Sequence, residues 1–209
     1  MCGRYTVLTE DEIMELREIL ENIPLPIVRD DFKDYDKKPG DVFPSDSAPI
    51  ITSNPDGIAF ESVKWGFKKW NGTGLIINAR CETIKQKSIF SRCIETGRCV
   101  VPAGEFFQWK KLGKTNKKYY AKDKNGDLLF MAGLYRDHEG ERESVIITKE
   151  AAGEMAEIHD RVPVILRAGQ LRSWLNGEMA AEDIEKMEYD VSVAPCEEEN
   201  DVPEQISLF

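Results

Sequence analysis

A cysteine stands at position 2, directly after the initiator methionine. A second residue this small permits removal of Met1, and the chain would then begin with a cysteine bearing both a free α-amine and a thiol. The amine, with an unperturbed pKa of about 7.7–8.0, is partly neutral at cellular pH. The thiol, near about 8.5, is a second nucleophile two carbons away. Together they condense with an aldehyde. The amine forms an imine, and the thiol adds to it to close a five-membered thiazolidine. No other residue type offers this pair, although position alone also fits an incidental cysteine. His159 is one of two histidines, with His138. Cys2 and His159 are also the residue types of a thiol peptidase, nucleophile and base.

These residues need elements to hold them. Thr9-Glu10-Asp11-Glu12 reads as a capping box, and Ile13, Leu16, Ile19 and Leu20 follow at helical spacing. Residues 24–49, rich in Pro, Asp and Lys, read as irregular. Residues 50–52 and 58–63 read as strands around the turn Asn54-Pro55-Asp56-Gly57. Ile89, Phe90, Cys93 and Ile94 suggest a short helix closed by Gly97. Residues 99–101, 106–109 and 145–148 read as extended. Residues 118–121 and 128–132 flank Asn125-Gly126, a hairpin signal. Residues 151–158 read as a helix, and Leu171, Trp174 and Leu175 mark another before Gly177. This alternation predicts an α+β fold, one compact domain over 1–195 followed by an acidic tail over 196–209.

Composition narrows the function classes. The chain has 209 residues, 41% of them hydrophobic, enough for a sizeable core. No run of eighteen apolar residues occurs, and the N-terminus lacks a signal peptide's apolar stretch, so a cytoplasmic protein without membrane partners is expected. Five cysteines without a CxxC pair argue against a disulfide framework and a paired-thiolate zinc site, and no metal or cofactor is expected. The net charge of −10 argues at first against nucleic acid. Its distribution changes that reading. Residues 60–124 carry 15 basic and 5 acidic side chains, whereas residues 176–209 carry 1 and 11. Within the basic block, Lys64, Lys68 and Lys69 interleave with Trp65, Phe67 and Trp70, a pattern suited to a single strand as well as to a solvated face.

Five segments occur in order: Cys2-Gly3-Arg4-Tyr5, Trp65-Gly66-Phe67, Asn78-Ala79-Arg80-Cys81-Glu82, residues 98–109, and residues 158–163 with His159-Asp160-Arg161. From Cys2 to about Leu175 the chain resembles the SOS-response-associated peptidase family, the abasic-site processing proteins. The resemblance implies a strand-rich, barrel-like core with peripheral helices and a positively charged channel. It implies capture of ring-opened abasic sites in single-stranded DNA through Cys2, as a thiazolidine crosslink, and a nucleoid-associated location. Carried over, Asn78 holds the Cys2 amine or the sugar, and His159 moves a proton. Arg4 and Arg80 contact phosphates, Arg161 follows the family's basic position, and Trp65 and Phe67 stack on or wedge beside bases.

One departure matters. The family's catalytic Glu precedes a Trp, and here that position is Gln108, before Trp109. Gln hydrogen-bonds but does not exchange a proton at neutral pH. Slower crosslinking and impaired reversal are expected. Glu105 lies three residues earlier, on the opposite side of a regular strand, and only a bulge or bend would bring it into the site. Beside covalent capture stand two other readings: the thiol peptidase, and a non-catalytic single-strand binder. The last five residues, Gln205-Ile206-Ser207-Leu208-Phe209, resemble the peptide by which bacterial DNA-maintenance proteins dock on the replication sliding clamp.

Overall fold

The computed structural model describes residues 2–23, 26–30, 40–70 and 72–197. Helix α1 (Glu10–Glu21) begins where the capping box places it. Thr9 Oγ1 accepts from the Glu12 N–H at 3.3 Å, and Glu12 Oε2 accepts from the Thr9 N–H at 2.6 Å. Leu16 and Leu20 form its buried stripe. Among the described residues no helix is long and apolar enough to cross a membrane.

Two sheets dominate. The smaller has five strands in the order β16 (Val191–Pro195), β11 (Thr115–Asp123), β10 (Phe106–Leu112), β1 (Tyr5–Thr6) and β3 (Asp41–Val42). The larger is built on β4 (Ser47–Asn54), β5 (Gly57–Trp65), β9 (Arg98–Ala103), β12 (Leu129–His138) and β13 (Glu141–Glu150). Strand β13 pairs with β12 on one side and runs parallel to β5 on the other. Because β12, β9, β4 and β5 are neighbours in turn, these strands close into a ring. The expected strand-rich core takes this form. Strand β8 (Asn78–Arg80) lies parallel to β13.

The side-chain period of a strand is two, so a sheet covered on both faces buries alternate residues in two different cores. Ile51, Val100, Phe130, Ala132, Val145 and Ile147 face one core, which Leu16 and Leu20 of α1 and Trp174 of α4 (Leu171–Leu175) complete. Their neighbours Ile50, Cys99, Val101, Leu129, Met131 and Ile146 face the other. Tyr5, Phe106, Ala121 and Val191 of the smaller sheet close that second core, and Cys2 lies inside it. The chain is thus one α+β domain, rich in strands.

Several local expectations change. Asn125-Gly126 does turn the chain, but β11 and β12 do not pair. Strand β11 pairs with β10 and β16, and β12 with β9, β13 and β15 (Ile165–Leu166). The turn passes the chain between sheets, and the hairpins form at residues 112–115 and 138–141 instead. Residues 24–49 are not wholly irregular: β2 (Ile27–Asp30), β3 and the start of β4 fall within them. The helix expected over 151–158 is a 3₁₀ segment, Gly153–Glu157. The turn at 54–57 holds as read. Asn54 Oδ1 accepts from the N–H groups of Asp56 and Gly57 at 2.9 and 3.1 Å, and Gly57 takes φ +150°, where a Cβ would meet the Pro26 carbonyl oxygen.

Candidate active site

Cys2 enters the molecule along the edge of β10. Tyr5 pairs with Phe106, and the Arg4 carbonyl accepts from the Phe107 N–H at 2.9 Å. That pairing carries the chain inward, and the Cys2 side chain is fully buried. Its thiol donates weakly to the Arg4 carbonyl, at 3.8 Å. Burial pushes the thiol pKa up to about 12. Asn78 Nδ2 donates to the Cys2 carbonyl at 2.9 Å and fixes the Cys2 backbone. Asn78 in turn starts β8, directly after Ile77, whose carbonyl accepts from Trp65 Nε1 at 3.0 Å.

Gln108 lies on the same face of β10 as Phe106, the face turned to the second core. It is 1% exposed. Its Nε2 donates to the Arg161 carbonyl at 3.1 Å. Arg161 is itself locked: its two terminal nitrogens reach the Glu82 carboxylate at 2.7 and 2.8 Å, and Nη2 also donates to the Thr148 carbonyl at 2.7 Å. The Arg161 N–H donates to His159 Nδ1 at 2.9 Å. Burial lowers the His159 pKa, so the imidazole is neutral at pH 7 with Nδ1 as acceptor. The Asp160 carboxylate lies 2.8 Å from the same nitrogen and works against that lowering. A chain of direct bonds thus runs from Gln108 through Arg161 to His159. Among the described residues, two buried amide oxygens, Asn78 Oδ1 and Gln108 Oε1, have no hydrogen-bond partner. Each is an acceptor held ready for a donor.

Other expected site residues sit elsewhere. Trp65 and Phe67 are core residues, 1% and 0% exposed, and Trp65 packs edge-on against Tyr5. Neither ring offers a face to a base, which corrects the stacking expectation; Trp70, 97% exposed, is the aromatic of that stretch at the surface. Arg161 is buried and held by Glu82, so its guanidinium is a brace and not a surface cation. Arg80 is exposed at the end of β8. Arg4 is buried against Phe43 and Trp109 and paired with Asp41. Glu105 does not bend toward Gln108. It lines a separate cavity of about 380 Å³ with Thr6, Glu12 and Lys122, and burial raises its pKa. Residues Gln205, Leu208 and Phe209 lie outside the described residues.

Sequence reasoning did not single out Glu82, which holds Arg161, or Asp41, which pairs with Arg4. Glu82 had a signal, because it ends the same short run as Asn78 and Arg80. Asp41 had none within its Pro-, Asp- and Lys-rich surroundings.

Against known families, residues 1–201 match the model described as SOS response associated peptidase (SRAP). The chain belongs to the SRAP family. Abasic site processing protein YoaM of Bacillus subtilis is 32% identical over 88% of this chain and 82% of its own length. Abasic site processing protein YedK of Escherichia coli is 27% identical, covering 88% and 83%. Among solved structures, a phage-related protein from Bordetella bronchiseptica shares the fold with a TM-score of 0.74 and 24% identity, covering 95% of each chain. In this SRAP chain Cys2, Asn78, Gln108 and His159 all come from segments bonded to one another around the second core.

Proposed function

We propose that this protein captures ring-opened abasic sites in single-stranded DNA by covalent linkage to Cys2 once Met1 has been removed. The single observation that carries the reading is the Asn78 bond to the Cys2 carbonyl, which fixes the one residue that bears both an amine and a thiol. The names of the relatives, abasic site processing proteins, supply the substrate class.

The chemistry follows from the groups present. The neutral Cys2 amine attacks the C1′ aldehyde of the opened deoxyribose, and water leaves as the imine forms. The thiol sulfur then adds to the imine carbon while its proton passes to nitrogen, closing the thiazolidine. Water is the sole by-product. The neutral His159 accepts a proton from the carbinolamine stage and returns one to the departing oxygen. Gln108 orients by hydrogen bonding and leaves proton transfer to His159.

Burial of the Cys2 thiol weighs against the thiol-peptidase reading. Such an enzyme needs a thiolate as its first nucleophile, and a thiol pushed to about 12 supplies almost none at neutral pH. Thiazolidine formation begins at the amine and draws on the thiol only after the imine exists.

Incubation with a single-stranded oligonucleotide bearing one abasic site is the test. A heat-stable adduct is expected, lost in Cys2→Ala and absent from any fraction whose intact mass retains Met1. Peptide cleavage without an adduct would establish the peptidase instead, and salt-sensitive binding with neither would leave a plain single-strand binder.

A further inference from the structure

The outer face of the five-stranded sheet carries a group that the capture chemistry does not use. Arg4 and Lys118 converge there on one carboxylate, Asp41 Oδ2, at 3.2 and 3.6 Å. The two cations come from different strands and each rests on aromatic rings. The Arg4 guanidinium lies 4.4 Å from the Phe43 ring centroid and 5.2 Å from that of Trp109. The Lys118 ammonium lies 4.3 Å from that of Phe107. These supports do not depend on Asp41, so the cations stay in place when the carboxylate leaves.

Asp41 is differently held. It belongs to β3, a two-residue strand at the edge of the sheet that pairs, among the described residues, with β1 alone. Its side chain keeps 26% of its surface in water. One singly charged carboxylate thus spans two cations from a two-residue strand at the edge of the sheet. Such a pair of donors, one of them a planar guanidinium, is what phosphate oxygens recognise. Phe43, 42% exposed beside Arg4, adds a ring on which a neighbouring base can rest.

The geometry points to a phosphodiester subsite for the strand, made by Arg4 and Lys118 and occupied in the free protein by the chain's own Asp41 carboxylate. The inference rests on the single-strand reading above and adds to it a built-in competitor. A strand phosphate enters by displacing Asp41, and the protein binds DNA more weakly than its cations alone would allow. Glu105, with Lys122 and Glu12 around it, lies within electrostatic reach of this group, and these charges stay constant across the variants below.

Binding of an intact single-stranded oligonucleotide without an abasic site, followed by fluorescence anisotropy over a salt series, tests this. Asp41→Asn keeps the shape and removes the charge. It is expected to bind about three- to tenfold more tightly at low salt. Its log–log salt slope is expected to steepen by about 0.7 to 1.4, the contribution of one to two phosphate contacts on a single strand. Lys118→Gln placed on top of Asp41→Asn should cancel about half of that gain. Unchanged or weaker binding by Asp41→Asn overturns the inference, with thermal melting confirming that the variant is folded; Asp41→Ser serves if it is not. Because the oligonucleotide offers no aldehyde, covalent capture takes no part. Failure to crosslink an abasic strand overturns the Cys2 reading and leaves this comparison standing.

Discussion

Gln108 meets the Arg161 carbonyl with an N–H, and a carboxylate at that position would meet it with a lone pair. Gln108→Glu therefore keeps the bond only while the new carboxyl is protonated, and its folded pKa rises above the unfolded value of about 4.3. The sign follows from linkage: the variant is most stable below the unfolded value and loses stability as pH climbs toward the folded one. Melting at pH 4 and pH 8 should show a deficit against wild type at the higher pH of about 1–3 kcal/mol. The same variant restores a group able to exchange a proton, so it should crosslink faster than wild type where it is folded. Equal rates would remove Gln108 from the chemistry. At this scale residue type was enough to single out Cys2, Asn78 and His159, the residues on which the proposed chemistry rests. It misled at Trp65 and Phe67. Both faces of the large sheet are covered, so no polar face marks which aromatics turn outward, and basic neighbours such as Lys64 and Lys68 are spent on Glu141.

At the level of elements, α1 was legible because its start signal is local. Thr9 and Glu12 satisfy each other's backbone N–H within one turn. Thr9→Ala should cost about 1 kcal/mol, read as a lowered denaturation midpoint with an unchanged slope. A loss below a few tenths would mean that packing of Leu16 and Leu20 holds the helix without its cap. Strand existence was also legible, from apolar runs and turn residues. Partner choice was not. Asn125-Gly126 has the chemistry of a hairpin, yet β12 is drawn to β9 and β13, where Phe130, Ala132, Leu129 and Met131 fill both cores at once. Two cores outweigh one turn. The helix read over 151–158 is present, but its 3₁₀ form was not legible: its one buried residue, Met155, gives no period to tell the two helices apart.

For the whole molecule, the charge of −10 resolves into parts with separate roles. Residues 1–175 carry 27 basic and 27 acidic side chains, so the excess acid belongs to the C-terminal stretch. That stretch leaves the central basic block free of the average and carries the proposed clamp peptide. Deleting Leu208 and Phe209 should abolish binding to a purified sliding clamp while leaving crosslinking to abasic DNA at its full rate. Clamp binding that survives the deletion would exclude the peptide as the contact.

The burial of Cys2 also sets a deadline during manufacture. Phe106 and Val191 help to close the core around it, and both emerge from the ribosome long after the N-terminus does. At about 5–20 residues per second, the interval before residue 191 is made lasts roughly 10–40 s. Through that interval the first two residues are open to a processing peptidase. On the proposed capture through the Cys2 amine, trimming of Met1 within that interval sets how much of the protein can react.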